Sequence, residues 1–450
     1  MNQFNETLEN LALLGGNKAV QTDQKDMFKW PIITEEHEKA VLDVLRSGNM
    51  SGIDITKQFE AKYAYNLGRK YALGCHNGTA AITGAMFGLG VGAGDEVIAP
   101  AITYWASILQ AMNLGATPVF SDVDPYSLCI DPKDIERKIT DRTKIIVVVH
   151  YSAMPADMDA IMVISNKYNI KVLEDCSHAH GTLYKGKEAG TFGAAAAFSL
   201  MSGKAFAIGE AGIMLTDDRK VYERAILFGH YIRHNEITID EVKKYAGLPC
   251  GGVKHRMQQL NSALGLVQLK YYPDQMNEIN QAMNYFCDAM ENTPGVKPIR
   301  PSKDAGTSKG GWYFPLFHYK ADQLGGLSLK RFTQAVRAEG TMCNPGSNHP
   351  LHLHPLFRNM DVYGHGRPTR IAQLPPGTEI DKYLESLPVS EKVFKQVFQV
   401  PWFKKYRPEI IDQHVRAYKK VIQNYKILLK EDSQENRDWI PGGYSSFFTD

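Results

Sequence analysis

The chain has 450 residues, 44% hydrophobic and 22% charged, and its 51 basic residues nearly cancel 49 acidic ones, leaving a net charge of +2. This composition is typical of a globular protein, and the length predicts two domains. No run of like charge stands out, so we expect neither nucleic-acid binding nor attachment to anionic membranes.

The cysteines and the apolar runs indicate in which cellular compartment the protein is expected. The six cysteines are scattered and form no C-x-x-C pair, which argues against a zinc knuckle or a disulfide framework. The opening MNQFNETLENLALLGG has too short an apolar run for a secretory signal. Residues 192–215 are long enough to span a membrane, but they contain Lys204 and Glu210 among mostly small residues. We therefore expect a cytoplasmic protein without a membrane span.

The first predicted element is a helix over 34–48, which Thr34 can cap and Gly48 can end. Helices and short apolar strands then alternate. Strands are predicted at 96–100, 117–123, 144–150 and 171–175, and helices at 80–89, 107–114, 132–139 and 158–168. The alternation predicts right-handed βαβ units on a mostly parallel sheet, and so an α/β fold.

The pattern changes after residue 285. A Gly/Pro-rich stretch at 293–311 precedes the strand-like WYFPLFHY, and helices are predicted at 328–339 and 411–429. Residues 343–378, rich in His, Pro and Asn, predict an ordered loop near the surface. We expect an N-terminal arm (1–33), a large domain (34–285) and a smaller α+β domain (286–450).

Lys204 lies in FSLMSGKAFAIGEAG, residues 198–212, where its neighbours are small. A lysine that forms a Schiff base needs such a setting, because a ligand can approach closely and burial can lower the pKa of the amine. Ser199 could donate its hydroxyl to a phosphate. The alternative is a surface lysine on a loop, and the spacing alone favours that alternative.

Asp175 closes the apolar run KVLED, and ligands of open α/β sheets bind beyond the carboxyl ends of strands. A carboxylate there can keep a pyridine nitrogen protonated, although an aspartate that caps the next helix fits about equally well. His178 and His180 follow, but their i, i+2 spacing is not that of a helical metal-binding pair. We predict no metal site.

Gly78 and Thr79 open a helix, where backbone N–H groups and the helix dipole can bind phosphate, although many helices begin this way without a ligand. Tyr104 follows a strand and could stack on a flat cofactor, whereas most aromatic residues pack in the core. Neither a Walker A motif nor G-x-G-x-x-G is present, which disfavours nucleoside triphosphates and dinucleotides.

The order of these features is more specific than any one of them. In that order the chain resembles the DegT/DnrJ/EryC1/StrS family of sugar aminotransferases, which have the fold-type I architecture of aspartate aminotransferase. The resemblance runs from about residue 11 to residue 429. It rests on LALLGG (11–16), GTAA (78–81), GDEVIAPAITYWAS (94–107), PADMD (155–159), EDCSHAHG (174–181), FSLMSGKAFAIGEAG (198–212), HRMQQLNSALGLVQL (255–269), HPLHLHPLF (349–357) and LPVSEKVF (387–394).

The resemblance implies pyridoxal 5′-phosphate (PLP) as the cofactor. Lys204 would form the Schiff base and carry a proton between substrate and cofactor, while Asp175 would pair with the pyridine nitrogen. His178 would lie by the ring hydroxyl. The remaining cofactor contacts would be stacking by Tyr104 and phosphate binding by Gly78, Thr79 and Ser199.

Some positions depart from the family pattern. Lys254 stands where the family commonly has an asparagine that reaches the phosphate of the other subunit, and a lysine could act there as a point charge. Ser152 and Ala153 replace a tyrosine and a glycine of an H-L-Y-G-x-P segment, and GEAG (209–212) replaces G-E-G-G. No family role carries over to Ser152 or Ala153.

The resemblance implies ping-pong transamination in an obligate homodimer with shared active sites. The donor would be L-glutamate or L-glutamine, and the acceptor a keto-sugar or keto-cyclitol. One alternative is a PLP- or PMP-dependent sugar dehydratase, although such relatives typically have histidine in place of the lysine. The other is a non-catalytic PLP-fold regulatory protein, against which the presence of both Asp175 and Lys204 argues.

Overall fold

The computed structural model describes residues 10–302, 306–358, 360–362, 364, 366 and 385–441. The strands of this part are β1 Tyr71–Cys75, β2 Glu96–Pro100, β3 Thr117–Ser121, β4 Thr143–Val149, β5 Lys171–Asp175, β6 Leu183–Tyr184, β7 Lys187–Glu188, β8 Ala195–Ser199, β9 Gly212–Thr216, β10 Val296–Pro298, β11 Leu316–Tyr319, β12 Asn344–Pro345 and β13 Val397–Gln399. The α-helices are α1 Lys25–Phe28, α2 Glu35–Ser47, α3 Asp54–Leu67, α4 Gly78–Gly88, α5 Ala106–Asn113, α6 Pro132–Lys138, α7 Met158–Tyr168, α8 Arg219–Gly229, α9 Asp240–Lys243, α10 Gln259–Met290, α11 Leu329–Ala338, α12 Pro355–Arg358, α13 Pro388–Val393, α14 Pro408–Gln423, α15 Tyr425–Leu429 and α16 Gln434–Asp438.

The larger sheet has seven strands in the order β1-β9-β8-β5-β4-β2-β3. The neighbouring pairs β3–β2, β2–β4, β4–β5 and β5–β8 are parallel. Strand β9 runs antiparallel to both β8 and β1. Most residues of β4 and β5 are buried and apolar, as expected of central parallel strands. The mostly parallel sheet confirms the predicted α/β fold class.

Several predicted elements of this half are found within two residues of their expected bounds. β2, β5 and α7 match them fully. Thr34 and His37 form a capping box at the start of α2, and Gly48 ends it with φ 69°. β3 stops at Ser121, short of the predicted 123, because Val123 leaves the sheet and pairs with Ile130 in an isolated bridge.

A second, antiparallel sheet has the order β10-β11-β13-β12. It packs around an apolar cluster that includes Phe286 of α10, Phe317 of β11 and Tyr418 of α14, and this cluster also takes in Leu11 and Met27 from the start of the chain. The second sheet fits the predicted smaller α+β part. The division at 33 and 285 stays a prediction, and α10 runs across residue 285.

Two predictions for the second half need correction. The helix expected over 411–429 begins earlier, at Pro408, and breaks at Asn424, whose side chain turns back to donate to the Lys420 carbonyl at 2.9 Å. The loop expected near the surface over 343–378 is partly buried, because the Leu351 N–H donates to the Ala101 carbonyl at 2.8 Å and Phe357 packs in the core. Residues 359, 363, 365 and 367–378 of this loop lie outside the described residues.

Residues 192–215 form β8, a loop and β9 rather than a helix. In the described part of the chain, no helix combines the length and the apolar character needed to cross a membrane.

Candidate active site

A cavity of about 500 Å³ opens beyond the carboxyl ends of the parallel strands, the usual ligand site of such sheets. All predicted cofactor residues except Lys254 line it. The lining residues are Asn77, Gly78, Thr79, Ile82, Thr103, Tyr104, Ala106, Ser107, Val149, Asp175, Ser177, His178, Ser199, Met201, Lys204, Glu210, Tyr313, Phe314 and Asn348.

Asp175 is held at the end of β5 by hydrogen bonds to both carboxylate oxygens. The Ser107 hydroxyl donates to Oδ2 at 2.6 Å, and the Ser177 N–H donates to Oδ1 at 3.0 Å. Because the Ser107 proton is used in this way, the Thr103 hydroxyl at 2.8 Å donates to Ser107. The carboxylate is thus buried, fixed in orientation and directed at the cavity.

His178 is neutral at physiological pH. Burial, followed by the nearby charge of Lys204, holds the pKa of this imidazole well below its ordinary value. Its Nδ1 accepts the Ser152 N–H at 3.3 Å, so the ring hydrogen belongs on Nε2. His178 therefore offers the cavity a donor rather than a positive charge.

Lys204 lies in the loop between β8 and β9, with 8% of its surface exposed. Burial lowers the pKa of its amine to about 8, although the Asp175 carboxylate acts in the opposite direction. The loop is fixed at this residue, because the Trp30 indole donates to the Lys204 carbonyl at 2.7 Å and the Lys204 N–H donates to the Met201 carbonyl at 2.8 Å. The interpretation of Lys204 as a surface lysine is wrong.

The amino end of α4 lies against the carboxyl end of β8. A side chain on Gly78 would place Cβ 2.7 Å from Cβ of Ser199, so only glycine allows this approach. Asn77 caps the helix, its side chain accepting the Ala80 N–H at 2.8 Å. The first-turn N–H groups of Gly78 and Thr79 and the Ser199 hydroxyl thereby line one end of the cavity.

Two tyrosines bound the cavity. Tyr104 is 45% exposed and its ring packs on that of Trp105, with centroids 4.6 Å apart. The Tyr313 ring lies 3.8 Å from Nζ of Lys204 and 4.6 Å from the ring of His178. Tyr104 is therefore at the open side of the cavity, while Tyr313 contacts the lysine and the histidine directly.

One group of buried side chains next to the cavity has the composition of a metal site. Ligand atoms of His150, Glu174 and Cys176 lie within 4.8 Å of one another. The imidazole Nε2 of His150 is 3.1 Å from Glu174, and Glu174 also accepts backbone N–H groups of Gly190 and Gly193. These bonds already satisfy the carboxylate, so the group is explained as an internal hydrogen-bond network.

Residues 31–372 match the model of the DegT/DnrJ/EryC1/StrS aminotransferase family. The chain belongs to this family. It is 31% identical over 429 residues to the L-glutamine:2-deoxy-scyllo-inosose aminotransferase of Micromonospora echinospora. The aligned residues are 93% of this chain and 99% of that protein. It is 39% identical over 259 residues, 57% of this chain and 69% of the relative, to the dTDP-3-amino-3,6-dideoxy-alpha-D-galactopyranose transaminase of Aneurinibacillus thermoaerophilus. The X-ray structure of the aminotransferase from Psychrobacter cryohalolentis superposes with a TM-score of 0.77 at 30% identity, covering 89% of this chain and 100% of the other.

As a DegT/DnrJ/EryC1/StrS protein, the chain is a PLP-dependent aminotransferase, as predicted. The cavity fits the cofactor. It offers a helix amino end for a phosphate, a fixed carboxylate for a pyridine nitrogen, and a buried amine of lowered pKa for an aldehyde. Because Gly78 has no side chain, the amino end of α4 and Ser199 lie close enough to line the same cavity.

Lys254 is not brought to the cavity of its own chain. It is exposed, although the next residue, His255, is buried, and it does not line the cavity. Its predicted contact with a phosphate therefore requires a second subunit and stays a prediction.

Sequence reasoning missed Ser107, Ser177, Tyr313 and Asn348 among the lining residues. Ser107 lies in the family motif at 94–107 and Ser177 in the motif at 174–181, so their positions in the sequence could have indicated a place at the cavity. Tyr313 comes from a part of the second half where no motif pointed to the cavity, whereas Asn348 lies in the His/Pro-rich segment 343–357, from which pocket residues were expected without any one being named. The Tyr151 hydroxyl binds Asn348 Oδ1 at 2.7 Å and holds that segment in place.

Proposed function

We propose that the protein transfers the amino group of L-glutamine or L-glutamate to a keto-cyclitol or keto-sugar by a ping-pong mechanism. One observation carries the proposal: the amine of Lys204 and the carboxylate of Asp175 face the same cavity, beside the amino end of α4. The names of the relatives support both acceptor classes, one a glutamine-dependent cyclitol enzyme and the other a sugar-nucleotide enzyme. The cyclitol relative matches nearly the whole chain, which favours that class.

Each side chain has a role that its contacts support. PLP supplies an aldehyde that condenses with amines and a protonated ring that accepts electron density. Asp175, fixed by Ser107, would hold the proton on the pyridine nitrogen, and His178 would donate its Nε2–H to the ring oxygen. Tyr104 would stack on the ring. The phosphate would bind at Gly78, Thr79 and Ser199.

Lys204 would bind the cofactor covalently and afterwards move the substrate proton. Its low pKa makes this possible, because an amine with a pKa of about 8 is partly neutral at physiological pH and can both accept and return a proton. The Tyr313 ring beside Nζ restricts where the amine can swing. The presence of this lysine is the feature that favours transamination over sugar dehydration.

The test is transfer of a labelled nitrogen. Holoenzyme is incubated with L-glutamine or L-glutamate carrying ¹⁵N at the α-amine and with panels of keto-cyclitols, free keto-sugars and nucleotide-linked keto-sugars. We expect ¹⁵N in the product of one panel and no transfer by Lys204→Ala. Loss of water from a substrate without nitrogen gained would establish the dehydratase alternative, and PLP binding with no turnover of any panel would favour the regulatory one.

We also propose a homodimer with shared active sites, in which Lys254 reaches the partner's phosphate site. Its exposure on a single chain and its family position both support this arrangement. A cytoplasmic location is proposed on the cysteines, which are unpaired and, apart from Cys250, buried.

A further inference from the structure

A strained turn, residues 151–153, lies against His178. Ser152 has φ 55° and Ala153 has φ 60°, in the left-handed region that residues other than glycine seldom adopt. The family pattern has glycine in place of Ala153. Because neither residue here is a glycine, other interactions must offset the strain of the turn.

Lys309 supplies part of that support. Its side chain is fully buried, with 0% of its surface exposed. The ammonium or amine Nζ donates to the Ser152 hydroxyl at 3.2 Å and to the Ile299 carbonyl at 3.0 Å. The Ser152 hydroxyl in turn donates to the Phe314 carbonyl at 2.7 Å. These bonds connect the turn to Ile299 and to Phe314, of which Phe314 lines the cavity.

The surroundings of Lys309 do not suit a simple ion-pair role. Burial lowers the pKa of its amine to about 7. The titratable groups acting on it are the thiols of Cys129 and Cys287, which are themselves neutral because burial raises the pKa of each to about 12. A lysine in such surroundings acts through its hydrogen bonds.

The turn acts on His178 through its backbone. The Ser152 N–H donates to Nδ1 of His178 at 3.3 Å, which leaves the ring hydrogen on Nε2. If Ser152 relaxed out of the left-handed conformation, this N–H would point elsewhere, and the tautomer of His178 would no longer be fixed. The chain of contacts therefore runs from Lys309 through Ser152 to His178.

We propose that Lys309 is a positioning residue that holds the turn at 151–153 so that His178 presents its Nε2–H to the cofactor ring oxygen. The inference rests on the proposed function, which places that oxygen beside His178. Lys309 does not contact the cavity itself, so its effect is on the proton affinity of the bound cofactor rather than on substrate binding.

The experiment is a pH titration of the visible absorbance of bound PLP in Lys309→Met and Ser152→Ala holoenzymes. We expect each variant to shift the titration midpoint by at least about 0.5 pH unit, and the double variant to shift it no further than either single, because both act through one chain of contacts. kcat should fall about tenfold while KM for the amino donor changes less than about twofold. Lys309→Gln, which retains a donor, should recover part of the shift.

Thr341→Val is the matched control. The Thr341 hydroxyl is also buried and hydrogen-bonded, with Nδ1 of His414 at 2.6 Å, but Thr341 does not line the cavity. The midpoint should stay at the wild-type value in this variant. Unchanged midpoints in folded Lys309→Met and Ser152→Ala, or an equal shift in Thr341→Val, would overturn the inference.

The two proposals fail in different ways. If wild-type protein shows no PLP absorbance that depends on Lys204, the proposed function fails. If that absorbance is present and only the variant midpoints are unchanged, the role of Lys309 fails alone. Should Lys309→Met not fold, Ser152→Ala decides, since it removes one hydroxyl and keeps the backbone N–H.

Discussion

At the scale of single residues, burial of Lys204 lowers the pKa of its amine and so makes the amine more reactive. The amine lies near a carboxylate, which favours its charged form, yet loss of solvation is the larger effect and brings its pKa down to about 8. An ordinary lysine would be almost fully protonated at neutral pH and would react slowly with an aldehyde.

This balance predicts the pH dependence of cofactor attachment. Only the neutral amine attacks the aldehyde, so the rate at which apo protein takes up PLP should fall as the pH drops through about 8 and level off above it. The rate is followed by stopped-flow absorbance, with Lys204→Ala giving the background from surface lysines. A rate that keeps rising towards pH 10 would show that burial does not lower this pKa.

The predictable residues of the site were those whose order along the chain is informative. Taken alone, Asp175 could have been a helix cap and Lys204 a surface lysine. The order of motifs from Gly78 onward favoured a cofactor role for both residues. Tyr313 and Lys309 could not be found in this way, because their neighbours in sequence form an irregular Gly-rich segment. Only tertiary packing brings them to Lys204 and Ser152.

At the scale of elements, the decisive contact is that between the amino end of α4 and the carboxyl end of β8. It depends on Gly78, whose missing side chain lets the helix approach Ser199. The antiparallel strand β9 pairs with β8 and, like it, borders the Lys204 loop, so the loop is anchored at both ends.

Gly78→Ala should weaken PLP binding by at least about tenfold, or about 1.4 kcal/mol, because the new Cβ would displace the helix from β8. Equilibrium dialysis of PLP gives the dissociation constant. Gly84→Ala on the same helix is the control, since its Cβ would meet only the Ala225 Cβ at 3.9 Å, an ordinary contact. Equal losses in both variants would mean that helix composition, not the approach to Ser199, governs binding.

Elements were predictable where the apolar pattern was regular. β2, β5 and α7 have clear periodicity and sharp boundaries. β8 was missed because its alanine-rich AAAFS has weak strand propensity and is stabilised by pairing with β5 and β9. α10 was missed although it has 32 residues, because Pro273 lies inside it, where a proline argues against a continuous helix, and because its apolar positions face different neighbours along its length.

At the scale of the whole molecule, α10 contributes to two apolar centres of the described residues, the first around Phe59 and the second around Phe286. The helix packs on α2 and α3 near its start and on α14 near its end. Leu11 and Met27 join the second centre, so the first part of the chain is tied to the last. In the proposed homodimer, Lys254 of the partner subunit would complete the site.

Subunit complementation tests that expectation. Lys204→Ala and Lys254→Ala homodimers should each have low activity, whereas subunits mixed after reversible dissociation should regain activity. In a mixed dimer one site combines an intact Lys204 with the other subunit's intact Lys254. Activity of the mixture that equals the average of the two homodimers would show that Lys254 does not act across the interface.

The attachment of the cofactor to Lys204 can be measured by peptide mass mapping after borohydride reduction of the PLP-loaded protein. Reduction makes the link between an amine and the cofactor permanent. We expect one pyridoxyl phosphate group per chain, on the peptide that contains Lys204, and its loss in Lys204→Ala. Attachment at another lysine, such as the buried Lys309, or an unmodified Lys204 in an active enzyme would contradict it.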